Sequence, residues 1–75
     1  MKIVVTELQT FDTGVVQALN YAYDSENSAL AKYHSILSAA AVSSLPVHAC
    51  VVYTNDGTML RSECFKHEAV PTPEN

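Results

Sequence analysis

The sequence has little positive charge and almost no glycine. Lysine and arginine together number four against eight aspartates and glutamates, which gives a net charge of −4 at pH 7. A chain with so few cations lacks the basic stripe that neutralises phosphates and the basic amphipathic helix that binds an anionic membrane. Its only glycines are Gly14 and Gly57, so it contains no glycine-rich phosphate loop. We therefore expect neither nucleic acid nor a membrane as a direct partner.

Cysteine and long apolar runs are also scarce. Two cysteines, Cys50 and Cys64, are too few for a disulfide framework and lack the C-x-x-C spacing of zinc and thioredoxin-like sites. No segment approaches the roughly 20 apolar residues of a membrane span, and Glu7 comes too early for the apolar region of a secretory signal. These features predict a cytoplasmic protein. Its 75 residues make one domain whose core is marginal without a disulfide, a metal or a partner chain.

The segment from Asp24 to Ser44 has the clearest helical periodicity. Asp24 and Ser25 can cap its first turn, and Pro46 ends it because the residue before a proline avoids the helical conformation. At about 100° per residue, one wide stripe is apolar and is expected to face a core. The stripe consists of Ala29, Leu30, Tyr33, Ile36, Leu37, Ala40 and Ala41.

The opposite side of this helix is nearly uncharged, with Lys32 as its only charge. It consists of Ser28, Ala31, Ser35, Ser38, Ala39 and Val42. A solvated helix back commonly holds several charged residues, whereas small uncharged side chains let another surface approach closely. We predict that these six residues form the interface of a homo-oligomer, with a dimer favoured. A plain exposed surface of serine and alanine is the alternative.

Four other segments have the composition of β-strands. Residues 2–11 and 15–23 flank the turn signal Asp12-Thr13-Gly14, with a short helix over 15–19 as the alternative to the second strand. Residues 47–54 and 58–67 flank Asn55-Asp56-Gly57, the strongest hairpin signal. The sequence therefore predicts an α+β fold in ββαββ order, with one long helix packed across a four-stranded, mainly antiparallel sheet. We expect a single domain over residues 1–67 and a disordered tail over 68–75.

The second turn also predicts which residues share a face of its hairpin. A type I turn with Gly57 in the left-handed conformation places Thr54 opposite Thr58, and this register puts His48, Cys50 and Cys64 on one face. A two-residue Asp56-Gly57 turn is the alternative and would separate the cysteines. Both faces of the hairpin are substantially apolar, and one helix can cover only one of them. The other face is a natural site for a second chain. The long first strand could also accept a partner strand at an exposed edge.

The sequence offers one cluster with chemical potential, namely His48, Cys50 and Cys64. Cysteine and histidine are ligands that zinc takes, but cysteine is also among the most buried residue types, and core packing is the preferred interpretation. Carboxylates are scattered over turns and termini, and no serine lies in a nucleophile-elbow pattern. We expect a non-enzymatic protein without a cofactor, a metal or catalytic residues. A small metal-binding or redox protein that uses these three residues is the alternative.

Several stretches of the chain carry a resemblance. They are KYHSILSAAAVSSLPVHA (32–49), the Thr-x-x-Gly turn, SECFKHE (62–68) and the opening MKIVVTELQTFDTG (1–14). In these stretches the chain resembles small proteins encoded in prophage regions of Gram-positive gut bacteria, a group to which we attach no activity and no site residues. The resemblance implies a phage or prophage accessory or structural protein. We expect it to act through self-association and protein–protein contact.

Overall fold

The computed structural model describes residues 2–67, which form four strands and one helix. The elements are β1 (Ile3–Thr10), β2 (Val16–Tyr23), α1 (Glu26–Ala41), β3 (Val47–Thr54) and β4 (Met59–Lys66). The predicted α+β class and ββαββ order are confirmed. The alternative of a short helix over 15–19 is wrong, because β2 runs through most of that segment. The predicted disordered tail, 68–75, lies outside the described residues.

The four strands form one antiparallel sheet in the order β2-β1-β3-β4. β1 is an interior strand, since Val5 lies opposite Tyr21 of β2 on one side and opposite Val52 of β3 on the other. The expectation that the first strand offers an exposed edge is therefore wrong. Among residues 2–67, the two strands at the edges of the sheet are β2 and β4.

The two hairpins close with the same turn, built by residues 11–15 and 54–58. In each, the first N–H donates to the fifth carbonyl and the fourth N–H donates to the first carbonyl, at 2.8 and 2.9 Å in the first hairpin and 2.9 and 2.8 Å in the second. The fourth residues, Gly14 and Gly57, have φ of 91° and 94°, a left-handed conformation that glycine adopts without strain. The predicted turn of the second hairpin is confirmed.

A β-bulge in β4 changes the register beyond that turn. Tyr53 lies opposite Met59, but its neighbour Val52 lies opposite Arg61 and not opposite Leu60. One extra residue in a strand moves every later side chain of that strand to the other face. The prediction that the histidine and both cysteines share a face is therefore wrong, although the turn behind it is present.

The helix α1 has a side-chain partner at each end. Ser25 is the N-cap, and its Oγ accepts from Ser28 N–H at 3.3 Å. At the other end, His67 Nε2 donates to the carbonyl of Ala40 at 2.8 Å and satisfies an acceptor of the last turn. The predicted cap and the predicted stop before Pro46 are confirmed. The helix itself ends at Ala41, three residues earlier than the predicted limit.

The core lies between α1 and one side of the sheet, which we call the covered face. Its buried members are Ile3, Val5, Ala29, Tyr33, Ile36, Cys50 and Val52. The predicted helix stripe largely forms this core, because Leu30 and Leu37 also pack against it. Ala41 is an exception and is exposed, since the helix ends there.

Candidate functional site

The side of the sheet opposite α1 carries no covering element among residues 2–67, and we call it the open face. Its residues alternate with those that point toward the helix, and the strand pairing aligns them across the sheet. They are Val4, Thr6, Leu8 and Thr10 of β1, Val16, Ala18, Asn20 and Ala22 of β2, Val47, Ala49, Val51 and Tyr53 of β3, and Met59, Ser62, Cys64 and Lys66 of β4.

The open face is more apolar than a solvated sheet surface. Antiparallel sheets that expose one side to water place polar residues on that side. Here Lys66 is the only charged residue, and it lies at a corner of the sheet, at the end of an edge strand. The large apolar members are Val4, Leu8, Val16, Val47, Val51, Tyr53 and Met59. This composition is typical of a surface that becomes covered.

The polar groups at the centre of the open face bond to one another. The Thr6 hydroxyl donates to Asn20 Oδ1 at 2.7 Å and accepts from the Tyr53 hydroxyl at 2.9 Å. Thr6 is 8% exposed although no helix in the described part of the chain covers this side. Because the Thr6 hydroxyl both donates and accepts here, a partner could cover it without leaving it unpaired.

The six residues predicted as the interface lie elsewhere, on the outer side of α1. All of them are exposed, and Val42 retains 85% of its accessible surface. Since α1 packs on the covered face, its outer side and the open face lie on opposite sides of the molecule. Within residues 2–67, both of these nearly uncharged surfaces are left uncovered. An interface at Ser28, Ala31, Ser35, Ser38, Ala39 and Val42 stays a prediction.

The proposed metal cluster of His48, Cys50 and Cys64 is not assembled. His48 and Cys50 point toward α1, whereas Cys64 lies opposite Ala49 and is exposed on the open face. Within residues 2–67, no three histidine, cysteine or carboxylate side chains are grouped to hold a metal ion. Burial, with the nearby charge of Glu7 as a second cause, raises the pKa of Cys50 to about 11. A thiol in that environment stays protonated and unreactive at neutral pH.

His48 belongs to a different arrangement, a hydrogen-bonded chain with Glu7 and Ser43. Its Nε2 lies 2.6 Å from Glu7 Oε2, and its Nδ1 lies 3.0 Å from Ser43 Oγ. Only 5% of the His48 side chain and 12% of the Glu7 side chain are exposed. Glu7 Oε2 also accepts from Gln9 Nε2 at 3.1 Å. The carboxylate fixes a proton on Nε2, and Nδ1 faces the serine hydroxyl.

A serine, a histidine and a carboxylate in a row invite comparison with a nucleophilic triad, but the surroundings of Ser43 do not support acyl transfer. That reaction needs free N–H donors around the oxyanion. The N–H of Leu45 donates to Ser43 Oγ itself at 3.3 Å, and the N–H of Ser43 donates to Ala40 C=O at 3.3 Å. The C-terminal end of a helix also presents carbonyls and negative potential. The hydrogen bonds among Glu7, His48 and Ser43 instead connect β1, β3 and the loop after α1.

Part of this hydrogen-bonded arrangement was predictable from the sequence. The prediction that His48 shares a face with Cys50 was correct, and the His48 side chain points inward from its strand. Glu7 is 41 residues away, and its contact depends on the pairing of β1 with β3, which no local pattern indicates. Ser43 lies just beyond the helix, and its spacing of five residues to His48 matches neither helical nor strand periodicity, so no local pattern links the two.

Comparison of the chain with protein-family models, with curated proteins and with solved structures found no match. Of the residues that the structure describes, none belong to a helix long and apolar enough to cross a membrane.

Proposed function

We propose that this protein is a non-enzymatic assembly protein that forms a homodimer through its open face. The observation that carries the proposal is the composition of this face, which holds large apolar side chains and a single charged residue at its corner. The resemblance to prophage-encoded proteins supports a phage accessory or structural role for the assembly. The proposal includes a cytoplasmic location, supported by the scarcity of cysteine.

The open face is large enough for a stable contact. Strands of eight residues, at about 3.3 Å each, are roughly 26 Å long, and four strands at about 4.8 Å spacing are roughly 19 Å wide. The flat area is about 500 Å² per copy and about 1,000 Å² for two copies, before the relief of the side chains is counted. Specific interfaces begin near this size.

A second copy of this chain is the occupant that the open face fits. The face offers almost no charge with which to select a foreign partner, and an apolar sheet face packs against an identical face as in a β-sandwich. Lys66 lies at the corner, where it would remain in water at the rim. Burial of a second apolar layer would also support a 75-residue domain, whose own core is small.

The test is molar mass by light scattering after size exclusion, over a range of protein concentrations. Val51→Lys introduces a charge near the middle of the open face and is expected to break the open-face contact and lower the molar mass. Ser38→Lys introduces the same charge on the outer side of α1 and is expected to leave the dimer intact. Leu8→Lys provides a second variant on the neighbouring strand, and circular dichroism checks that each variant is folded.

The outcomes separate the two uncovered surfaces. A wild-type monomer at high concentration, or a Val51→Lys protein with the mass of the wild type, would overturn the proposal. A monomer for Ser38→Lys together with a dimer for Val51→Lys would transfer the interface to the helix side chains predicted from the sequence.

A further inference from the structure

The two edges of the sheet differ in how they are protected. β4 carries Arg61, Glu63 and Lys66 and contains a bulge, all of which discourage another strand from pairing. β2 has the sequence VQALNYAY, eight residues without a charge, a proline or a bulge. The helix packs mainly over the central strands, so it does not cover the β2 edge. An edge of this kind is ready to accept a strand.

The hydrogen-bonding pattern identifies which backbone groups of β2 are free to pair. Phe11 N–H donates to Val15 C=O, which makes 11 and 15 a bonded pair. Bonded and non-bonded pairs alternate along an antiparallel ladder, so the odd-numbered residues of β2 bond to β1. The contact of Asn55 N–H with Lys2 C=O agrees, since it assigns the even-numbered residues of β1 to β3. The backbone N–H and C=O groups that point outward from β2 belong to Val16, Ala18, Asn20 and Ala22.

We infer that the outer edge of β2 pairs antiparallel with β2 of a second copy, around a two-fold axis at Leu19, and extends the sheet to eight strands. This register places Val16 opposite Ala22 and Ala18 opposite Asn20. It is the symmetric register in which all four outward-pointing residues bond to one another. Leu19 then lies opposite Leu19 of the second copy in a non-bonded pair, where cross-strand side chains are closest.

The register supports a second copy as the partner, because the four outward-pointing residues of β2 pair completely with those of an identical strand. Each chain has a net charge of −4, but β2 brings no charge to the contact, so this edge adds no repulsion of its own. Asp24, which follows the strand, is ion-paired with Lys2 of its own chain. The edge contact goes beyond the proposed function, because it uses a different surface and leaves the open face uncovered. A molecule that uses both contacts would form more than a dimer.

Disulfide trapping tests this register. Leu19→Cys in a Cys64→Ser background is expected to form a cross-linked dimer under mild oxidation, because a non-bonded antiparallel pair holds its Cα atoms at about 4.5 Å, within disulfide range. Gln17→Cys in the same background is the matched control. Its two copies lie four positions out of register, beyond disulfide reach, so it is expected to cross-link at least about tenfold more slowly.

Hydrogen exchange gives a second measurement that needs no substitution. The amides of Ala18 and Asn20 are expected to exchange at least about tenfold more slowly than those of Ser62 and Cys64, which point outward from the opposite edge. Equal exchange at the two edges would overturn the inference.

The combination with Val51→Lys separates this inference from the proposed function. Cross-linking through Leu19→Cys that persists in Val51→Lys supports the edge contact independently of the open face. A dimer that Val51→Lys dissociates, without any cross-link through Leu19→Cys, overturns the edge contact and leaves the proposed function standing. A cross-link through Leu19→Cys, with no effect of Val51→Lys on molar mass, supports the edge contact and overturns the proposed function. Binding of β2 only to a strand of a different protein would also overturn the inference.

Discussion

The covered and open faces of the same sheet differ in where they place charge. The covered face carries Glu7, Arg61 and Glu63 beside the core, and Glu7 is paired with His48. The open face, which no element of residues 2–67 covers, has only Lys66 at its corner. A sheet that exposes one side to water normally shows the opposite distribution.

In this sheet, the face that the helix covers is therefore not the more apolar of the two. Charges on the covered face are tolerated because they are paired or lie at the side of α1, near Tyr33. The open face lacks charge although nothing in its own chain requires this. The simplest physical reason for such a face is burial in an assembly, and the following experiments compare the two faces directly.

The largest difference is expected in thiol reactivity. Because burial raises the pKa of Cys50 from 9.0 to about 11, its thiolate fraction at pH 8 falls about 100-fold, and shielding slows it further. Iodoacetamide should therefore label Cys64 at least about 100-fold faster than Cys50, as measured by mass spectrometry. In urea, which unfolds the protein, Cys50 and Cys64 should be labelled at similar rates, and this measurement is the control. If a second copy covers the open face, labelling of Cys64 should slow as protein concentration rises.

Loss of the hydrogen bond between Glu7 and His48 on the covered face should give the next largest effect. His48→Ala leaves the shielded Glu7 carboxylate with Gln9 as its remaining donor, and we expect a loss of about 1.5–3 kcal/mol in the free energy of unfolding. Ser43→Ala should cost about 0.5–1.5 kcal/mol, since Glu7 keeps its partner. Urea unfolding measures both. A His48→Leu/Glu7→Leu protein close to wild type in stability would show that the pair matters through mutual satisfaction, and equal losses in the two single variants would contradict this ranking.

A smaller difference is expected for one substitution at two adjacent residues. Val52 points toward α1 and is 0% exposed, whereas Val51 points to the open face and is partly exposed. Val52→Thr buries a hydroxyl among apolar side chains and should cost about 1–3 kcal/mol. Val51→Thr should cost under about 0.5 kcal/mol in a monomer. A loss for Val51→Thr that grows with protein concentration would place the open face in an interface, and equal losses in dilute protein would contradict the comparison.

The smallest effect should come from Asp56 at the end of the covered face. A hydrogen bond from the Thr54 hydroxyl, followed by the backbone N–H of Thr58, lowers the pKa of this carboxyl below 3.8. Its stabilising contribution is present above pH 3.8 and is lost as the pH falls through the lowered pKa. Asp56→Asn should therefore reduce the loss of stability between pH 5 and pH 3 slightly. Urea midpoints at the two pH values measure it, and an unchanged acid slope would show that the contact is not maintained in solution.

Local chemistry made most of the fold predictable. Ser25 and Pro46 delimit the helix by capping and by backbone restriction, and Gly14 and Gly57 specify two left-handed turn positions. The apolar stripe of α1 follows from helical periodicity alone. Each of these signals lies within a few residues of the feature it produces, which is why all of them were readable from the sequence.

Long-range contacts were not predictable in the same way. The bulge at Leu60 has no turn residue to mark it, and it reversed the faces of Cys64 and its neighbours. The contact of Glu7 with His48 depends on β1 lying between β2 and β3, a choice that the strand sequences leave open. For the same reason, the sixteen residues of the open face could be identified only once the strand pairing was known.

The interior position of β1 has a consequence for how the chain folds as it is made. β1 can pair with β2 as soon as their shared turn is complete, but its other edge waits for β3, which lies roughly 40 residues further along. At about 5–20 residues per second, that edge stays unpaired for roughly 2–8 s during synthesis. For this interval the nascent hairpin exposes two strand edges together with the apolar residues of both faces. The residence time of this half-built sheet therefore adds to the risk that the chain aggregates during synthesis, whatever the stability of the finished sheet.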